Sequence, residues 1–261
     1  MDPSVVQKDV AIVGLACRFS EREGYRSFWE HLAAGDDLIK EIPSDRWPLE
    51  GFYSEQFENP NRSSSKWGSF LRGVDEFDPR FFGISPREAR SMDPQQRLLL
   101  EEAWCSIEDS GISLEELREQ RTGVFVGMMS LDYAQHRLQA NSAVDAFSYP
   151  GALGCILANR ISYFLGLSGP SISLDTACSS SLVALHQARQ ALCSGEIDYA
   201  IVAGISLNLT PWKYLSFSKA RMLSPDGRCK TFDQSANGYV PGEGVGVLLL
   251  QRADEATLKR N

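Results

Sequence analysis

The sequence predicts an α/β fold, a mainly parallel sheet with helices on both of its faces. Three observations predict it. Short apolar runs closed by glycine recur, as in Val10–Gly14 (VAIVG) and Thr122–Gly127 (TGVFVG), the pattern of buried strands. Segments of helical length separate them, stopped by Gly35, Gly111, Gly166 and Gly195, as left-handed C-terminal glycines stop helices. The chain also has 261 residues, 43% of them hydrophobic, enough to bury a large core.

The elements follow in order. Val10–Gly14 is the first strand. Ser27 begins a helix with Glu30 three residues on, Phe28, Trp29 and Leu32 as its apolar side and Gly35 as its stop. Residues 36–90 differ in texture, with many aromatics from Trp47 to Phe82 among Pro, Ser and Asp. A linker would not carry so many side chains that favour burial. The stretch reads as a packed, loop-rich excursion inserted in one unit spanning residues 1–261. Asp93-Pro94-Gln95-Gln96 starts the next helix, with an N-cap, a first-turn proline and a glutamine at the third position. Leu99, Leu100, Ala103, Trp104 and Ile107 form its stripe. Thr122–Gly127 is the second strand, 130–150 a mobile polar stretch, and Ile156–Leu165 a helix. Ser171–Thr176 is the third strand and Cys178–Cys193 a helix apolar nearly all round, hence buried between layers. Tyr199–Leu207 and Val245–Leu250 are the fourth and fifth strands.

Charge and cysteine usage exclude several functions. Lys and Arg total 26 against 34 Asp and Glu, a net charge of −8, which argues against a nucleic-acid binder. Six cysteines occur with no C-x-x-C pair, so neither a disulfide framework nor a structural metal is expected. No apolar run approaches the ~18 residues of a membrane span. Met1–Lys8 has no signal-peptide core. A cytoplasmic location is expected, without membrane partners.

Cys178 stands out by position, after a strand and at the opening of a helix, in the run Asp175-Thr176-Ala177-Cys178-Ser179-Ser180. Ligands collect at the carboxyl edge of such sheets. The positive end of the helix favours a thiolate, and its free N–H groups can hold an oxyanion. On this ground alone, a nucleophile and an inert core cysteine stand equally. Of the three histidines, His186 lies eight residues along the same helix, roughly 12 Å away along the axis, too far to act as base. His31 and His136 have no evident tie to Cys178. The glycine run Gly238–Gly246 precedes a strand, so it is no dinucleotide fingerprint. It reads as a tight turn packed close to another segment, with Glu243 hydrogen-bonded inside it.

The run Asp175–Ala188 (DTACSSSLVALHQA) resembles the active-site segment of β-ketoacyl synthases, specifically the ketosynthase domains of modular polyketide synthases. Asp9–Phe19, Phe81–Trp104, Ala158–Ser180 and Tyr239–Leu250 resemble further segments of that family in order. Lys213-Tyr214-Leu215, with Pro241, resembles ketosynthases of systems whose acyltransferase acts in trans.

The resemblance implies a thiolase-like fold, two similar α/β halves forming α-β-α-β-α layers, of which this chain is the first, N-terminal half. It implies that Cys178 accepts an acyl chain carried on the phosphopantetheine of an acyl carrier protein, no cofactor being bound directly. Decarboxylation of a malonyl-type thioester and Claisen condensation would follow. Phe217 matches an aromatic that gates the acyl pocket, and Met128 and Met129 a segment near the acyl tunnel of the other protomer; plain core packing is the other reading of all three. A homodimer through the third strand is expected. The family's two histidines, its lysine and its second oxyanion loop have no counterpart up to Asn261. They are expected from a complementary C-terminal half. Two functions stand open: the acyl-accepting half of a condensing enzyme, and a non-condensing half-domain that docks a carrier protein or partner chain.

Overall fold

The computed structural model describes residues 9–20, 24–129, 132–141 and 143–258. β1 (Val10–Phe19) precedes α1 (Gly24–Ala34). β2 (Lys40–Glu41) and β3 (Trp67–Gly68) pair as a small antiparallel ribbon. Then come α2 (Pro86–Ser91), α3 (Pro94–Ser110), α4 (Leu114–Glu119), β4 (Thr122–Met128) and α5 (Asp132–Gln139). A 3-10 turn at Pro150–Ala152 leads to α6 (Ile156–Leu165), β5 (Ser171–Leu174), α7 (Ser180–Ser194) and β6 (Tyr199–Ser206). α8 (Trp212–Lys219), β7 (Gly244–Arg252) and α9 (Ala253–Leu258) follow.

Five strands form one sheet in the order β1-β7-β6-β4-β5. β4 is parallel to β5 and β6, whereas β7 is antiparallel to both β6 and β1. The sheet is mixed, not mainly parallel. Strand direction is set by the connection, and between β6 and β7 the chain runs through α8 and a long, mostly exposed loop that returns it to the end where β6 leaves the sheet, Gly244 lying opposite Ser206. Alternate strand residues face opposite sides. Val124, Val126, Ile201 and Val247 pack with Leu99, Ala103 and Ile107 of α3 and with Leu157 and Ile161 of α6. Phe125, Ala200, Val202 and Leu250 pack with Ala184, Ala188 and Leu192 of α7. Three layers result, helix on sheet on helix.

Other departures from the sequence reading have local causes. α1 begins at Gly24 rather than Ser27, and Trp29 is 68% exposed. Residues 132–139 form α5 rather than a polar loop; Tyr133 and Arg137 anchor it to the carbonyls of Arg90 and Ala143. Residues 130, 131 and 142 of that stretch lie outside the described residues. α7 is buried only along the side carrying Ala184, Ala188, Ala191 and Leu192; Leu182 is 69% exposed. In the segment before α2, Trp47 and Phe52 pack against Tyr214 of α8, with Trp47 and Tyr214 ring centroids 5.5 Å apart.

α3 starts and stops as its sequence predicts. The Asp93 carboxylate accepts the Gln95 amide at 2.8 Å, and Gly111 closes the helix at φ +69°. Asp93 is buried, and burial pushes its carboxyl up to about 6 despite the opposing bonds from Gln95. A carboxyl raised in the folded state favours folding below its unfolded pKa and loses that contribution as pH climbs through the folded one. Stability should therefore fall between about pH 4 and pH 6. Asp93→Asn keeps a good N-cap and removes the charge. It should flatten that slope and raise neutral-pH stability by on the order of 2 kcal/mol, as read by urea denaturation at pH 4, 5, 6 and 7. An unchanged slope would mean that Asp93 is not its source.

Candidate active site

The turn between β5 and α7 carries Cys178. Ala177 just before it has φ +57°, a left-handed conformation that non-glycine residues seldom adopt. Side chains of the same turn hold it there. Asp175 Oδ1 accepts the Ala177 amide at 2.8 Å. The buried Ser180 hydroxyl accepts the Thr176 amide at 2.9 Å and donates to the Ala177 carbonyl at 2.7 Å. Strain over-determined in this way persists at functional turns. α7 proper begins at Ser180, two residues later than the sequence reading, so Cys178 stands ahead of the helix with its thiol exposed. No side chain caps α7; the Ser180 amide reaches the Ala177 carbonyl at 3.1 Å, and the next first-turn N–H groups have no side-chain cap.

The seat of α7 is a row of glycines across three strands. Gly127 of β4 pairs with Gly204 of β6, and Gly204 with Gly246 of β7. A Cβ at Gly127 would lie 2.5 Å from the Ser181 nitrogen, and one at Gly204 2.7 Å from the Ser181 Cβ. The missing side chains let the first turn of α7 settle onto the sheet. Above Gly246 the space is open, part of a cavity of about 780 Å³. Cys178, Met128, Met129, Leu182, Leu185 and Phe19 stand on its wall. Gly127→Ala should lift the turn, cost about 1–3 kcal/mol as overpacking does, and slow alkylation of Cys178. Unchanged stability and labelling would show that the seat does not position the thiol.

α8 lies off that cavity wall but within electrostatic range of Cys178. Lys213 and Phe217 are four residues apart and so share one side of that helix. The Phe217 and Tyr239 rings meet edge-on with centroids 6.3 Å apart. Tyr239 and Lys213 both lie within electrostatic reach of Cys178. Burial and the charge of Cys178 push the Tyr239 phenol up to about 12. Burial holds the Lys213 ammonium below the usual lysine range, against the pull of Asp132, Glu243 and Cys178. Phe217 thus stands with Tyr239 and α8, and not on the cavity wall that Met128 and Met129 share with Cys178. Glu243 does not bond inside its own glycine turn. Its buried carboxylate accepts the Asn208 amide at 2.8 Å, the Leu71 amide at 2.9 Å and Arg46 Nη2 at 2.9 Å. Sequence reasoning assigned no role to Lys213 or Tyr239. The available signal was Lys213 in the first turn of a helix rich in Trp, Tyr, Leu and Phe, which also ends in Lys219.

Two of the other thiols are less suited to attack. Cys17 is buried, and burial together with Glu102 pushes its thiol up to about 11. Burial and Glu102 also raise the Cys105 thiol. Both line a neighbouring cavity of about 840 Å³ among Glu101, Glu102 and Asp109. Cys178 should therefore be alkylated first by limiting iodoacetamide, several-fold ahead of Cys105 and Cys229, with peptide mapping as readout. Faster labelling of either would contradict the assignment. No imidazole contacts Cys178 among the described residues: His31 bonds Asp36 at 2.7 Å, His136 stacks on Tyr133 and His186 is exposed on α7. Among the described residues no cluster of three or more His, Cys, Asp or Glu could hold a metal ion. No helix there is long and apolar enough to cross a membrane.

Comparisons with known proteins bear on this arrangement. A family model described as "Beta-ketoacyl synthase, N-terminal domain" matches residues 7–256. A phenolphthiocerol/phthiocerol polyketide synthase polypeptide of Mycobacterium tuberculosis is 46% identical over 255 residues, covering 97% of this chain and 14% of that protein. Polyketide synthase PksN of Bacillus subtilis is 42% identical over 98% of this chain and 5% of its own length. This chain therefore spans a small part of those relatives. Among solved structures, the oxazolomycin ketosynthase domain of Streptomyces albus JA3453 is 40% identical with a TM-score of 0.89, covering 97% of this chain and 44% of that one. The ketosynthase from module 6 of the bacillaene synthase of B. subtilis is 43% identical with a TM-score of 0.84, covering 96% of this chain and 41% of that one.

Proposed function

Because this chain belongs to the β-ketoacyl synthase family and has its thiolase-like fold, we propose that it is the acyl-accepting half of a polyketide ketosynthase. The observation that carries this reading is Cys178, exposed on a strained strand-to-helix turn at the wall of the 780 Å³ cavity. The Cys178 thiolate attacks the carbonyl carbon of an acyl thioester. The carrier thiolate leaves and takes up a proton, and the acyl group remains on sulfur. Amides at the start of α7 are placed to steady the oxyanion of the intermediate. The carrier is the phosphopantetheine arm of an acyl carrier protein, in a cytoplasmic assembly that dimerises along the β5 edge. An exposed nucleophile in this setting favours acyl transfer over the docking-module alternative, which has no use for it.

Condensation needs donors that hold the enolate formed as a malonyl thioester loses CO₂. Removal of one such donor typically costs about 10²–10³ in rate. No histidine of this chain contacts Cys178 among the described residues, so those donors come from the complementary C-terminal half of the fold. Incubating the purified chain with an acyl N-acetylcysteamine thioester should add one acyl mass, mapped to Cys178, while a malonyl thioester keeps its carboxylate. Failure of any acyl group to reach Cys178 would overturn acyl transfer. Efficient release of CO₂ by the 261-residue chain would overturn the division of labour.

A further inference from the structure

Cys178 hangs between two anchored points. After it, Ser180 is seated on the sheet: it is 4% exposed, and a Cβ at Gly127 of β4 would lie 2.5 Å from its carbonyl carbon. Before it, Ala177 stands at φ +57°, a conformation that an alanine leaves unless its surroundings hold it. The Ser180 hydroxyl reaches back across Cys178 to do so. It accepts the Thr176 amide at 2.9 Å and donates to the Ala177 carbonyl at 2.7 Å, both bonds partly buried. The Ser180 amide donates to the same carbonyl at 3.1 Å. Asp175 also accepts the Ala177 amide, but on the exposed surface, where water competes for the bond. One buried hydroxyl therefore uses its donor and an acceptor position to close the chain into a ring that carries the exposed thiol. Ser180 and Cys178 share a wall of the 780 Å³ cavity, so the ring fixes where the sulfur stands against it.

We infer that Ser180 is a positioning residue: acting through Cys178 rather than on the acyl group, it locks the turn and so aims the sulfur at the thioester carbonyl. This rests on the acyl-transfer reading of Cys178. Attack on a carbonyl needs a defined approach, and a misplacement of about 1 Å can cost roughly 10²-fold in rate. Alkylation by a small reagent tumbling in solvent finds the sulfur wherever the turn carries it. The two reactions therefore separate aim from exposure, a distinction to which a residue needed only for folding is indifferent.

The test compares two rates at Cys178 in the full 261-residue chain, acylation by butyryl N-acetylcysteamine and alkylation by iodoacetamide, both read by peptide mapping. Ser180→Ala should slow acylation about 10²-fold and alkylation by no more than about threefold, since the thiol stays exposed. Ala177→Gly frees φ +57° of strain, so a chain carrying it depends less on the lock for stability. Adding Ser180→Ala to Ala177→Gly should give a folded protein that still acylates about 10²-fold more slowly than Ala177→Gly alone, and this pair decides if Ser180→Ala by itself does not fold. Equal loss of both rates, or acylation restored together with stability in the pair, makes Ser180 a structural residue and overturns the inference. Acylation at the natural rate in Ser180→Ala overturns it outright. A natural chain alkylated at Cys178 but never acylated there overturns the acyl-transfer reading itself, a result distinct from acylation that does not depend on Ser180.

Discussion

Cys178→Ala should abolish acyl loading while leaving the fold untouched. The thiol is exposed and makes no side-chain hydrogen bond among the described residues, so its removal should change stability by no more than about 0.5 kcal/mol. The loss of a nucleophile is of another order. Covalent transfer has no alternative acceptor in the site, and a fall of roughly 10³-fold or more is expected. Cys178→Ser should fall nearly as far, because an alcohol with no adjacent base is a poor nucleophile at neutral pH. Intact mass after thioester incubation, together with a thermal melt, separates chemistry from folding. An acyl adduct that persists at the natural rate in a folded Cys178→Ala protein would place the acceptor elsewhere.

The second large effect is on stability. Glu243→Ala should cost about 3–5 kcal/mol, the usual result of removing one partner from a buried ion pair. The Glu243 side chain is fully buried and that of Arg46 is 9% exposed. Alanine would leave the guanidinium without its carboxylate and the amides of Leu71 and Asn208 without their acceptor. Those three partners lie on separate segments, before α2 and between β6 and α8, so one carboxylate joins the excursion to the loop that leads into α8 and Lys213. Glu243→Gln preserves the shape and some of the acceptor capacity and should cost less. Guanidinium denaturation midpoints decide it: a loss under about 1 kcal/mol for alanine would mean that the pair holds nothing together.

What the sequence disclosed divides by range. α3, α6 and the end of α7 were legible because apolar residues and a closing glycine sit within one short window, joined in α3 by the Asp93 cap. β4 and β6 were legible as apolar runs. The turn at Cys178 was legible for the same reason, since strand, turn and helix are contiguous. The direction of β7 was hidden, because it depends on where a long connection emerges. α5 was hidden too: DYAQHRLQ has no apolar side, and its anchors at Arg90 and Ala143 are tertiary. The glycine row could not be seen at all. Gly127, Gly204 and Gly246 are widely separated in the chain and become neighbours only through strand register. Lys213 was legible only as part of the run Lys213-Tyr214-Leu215, because its electrostatic reach to Cys178 depends on where α8 packs.

The pairing of β1 with β7 carries a consequence for biogenesis. The first strand has only the last one as its neighbour, Val10 lying opposite Arg252. On a translating ribosome β1 emerges well ahead of β7 and must wait for the long stretch of chain between them, roughly tens of seconds at ~5–20 residues per second. The strand that divides β1 from β6 is the last to arrive, so the sheet cannot close stepwise behind the ribosome. Until then the edges of β1 and β6 are open to pairing with other chains. Nascent copies on one message would be the nearest such strands, and the interval before β7 appears is when this protein most needs a chaperone.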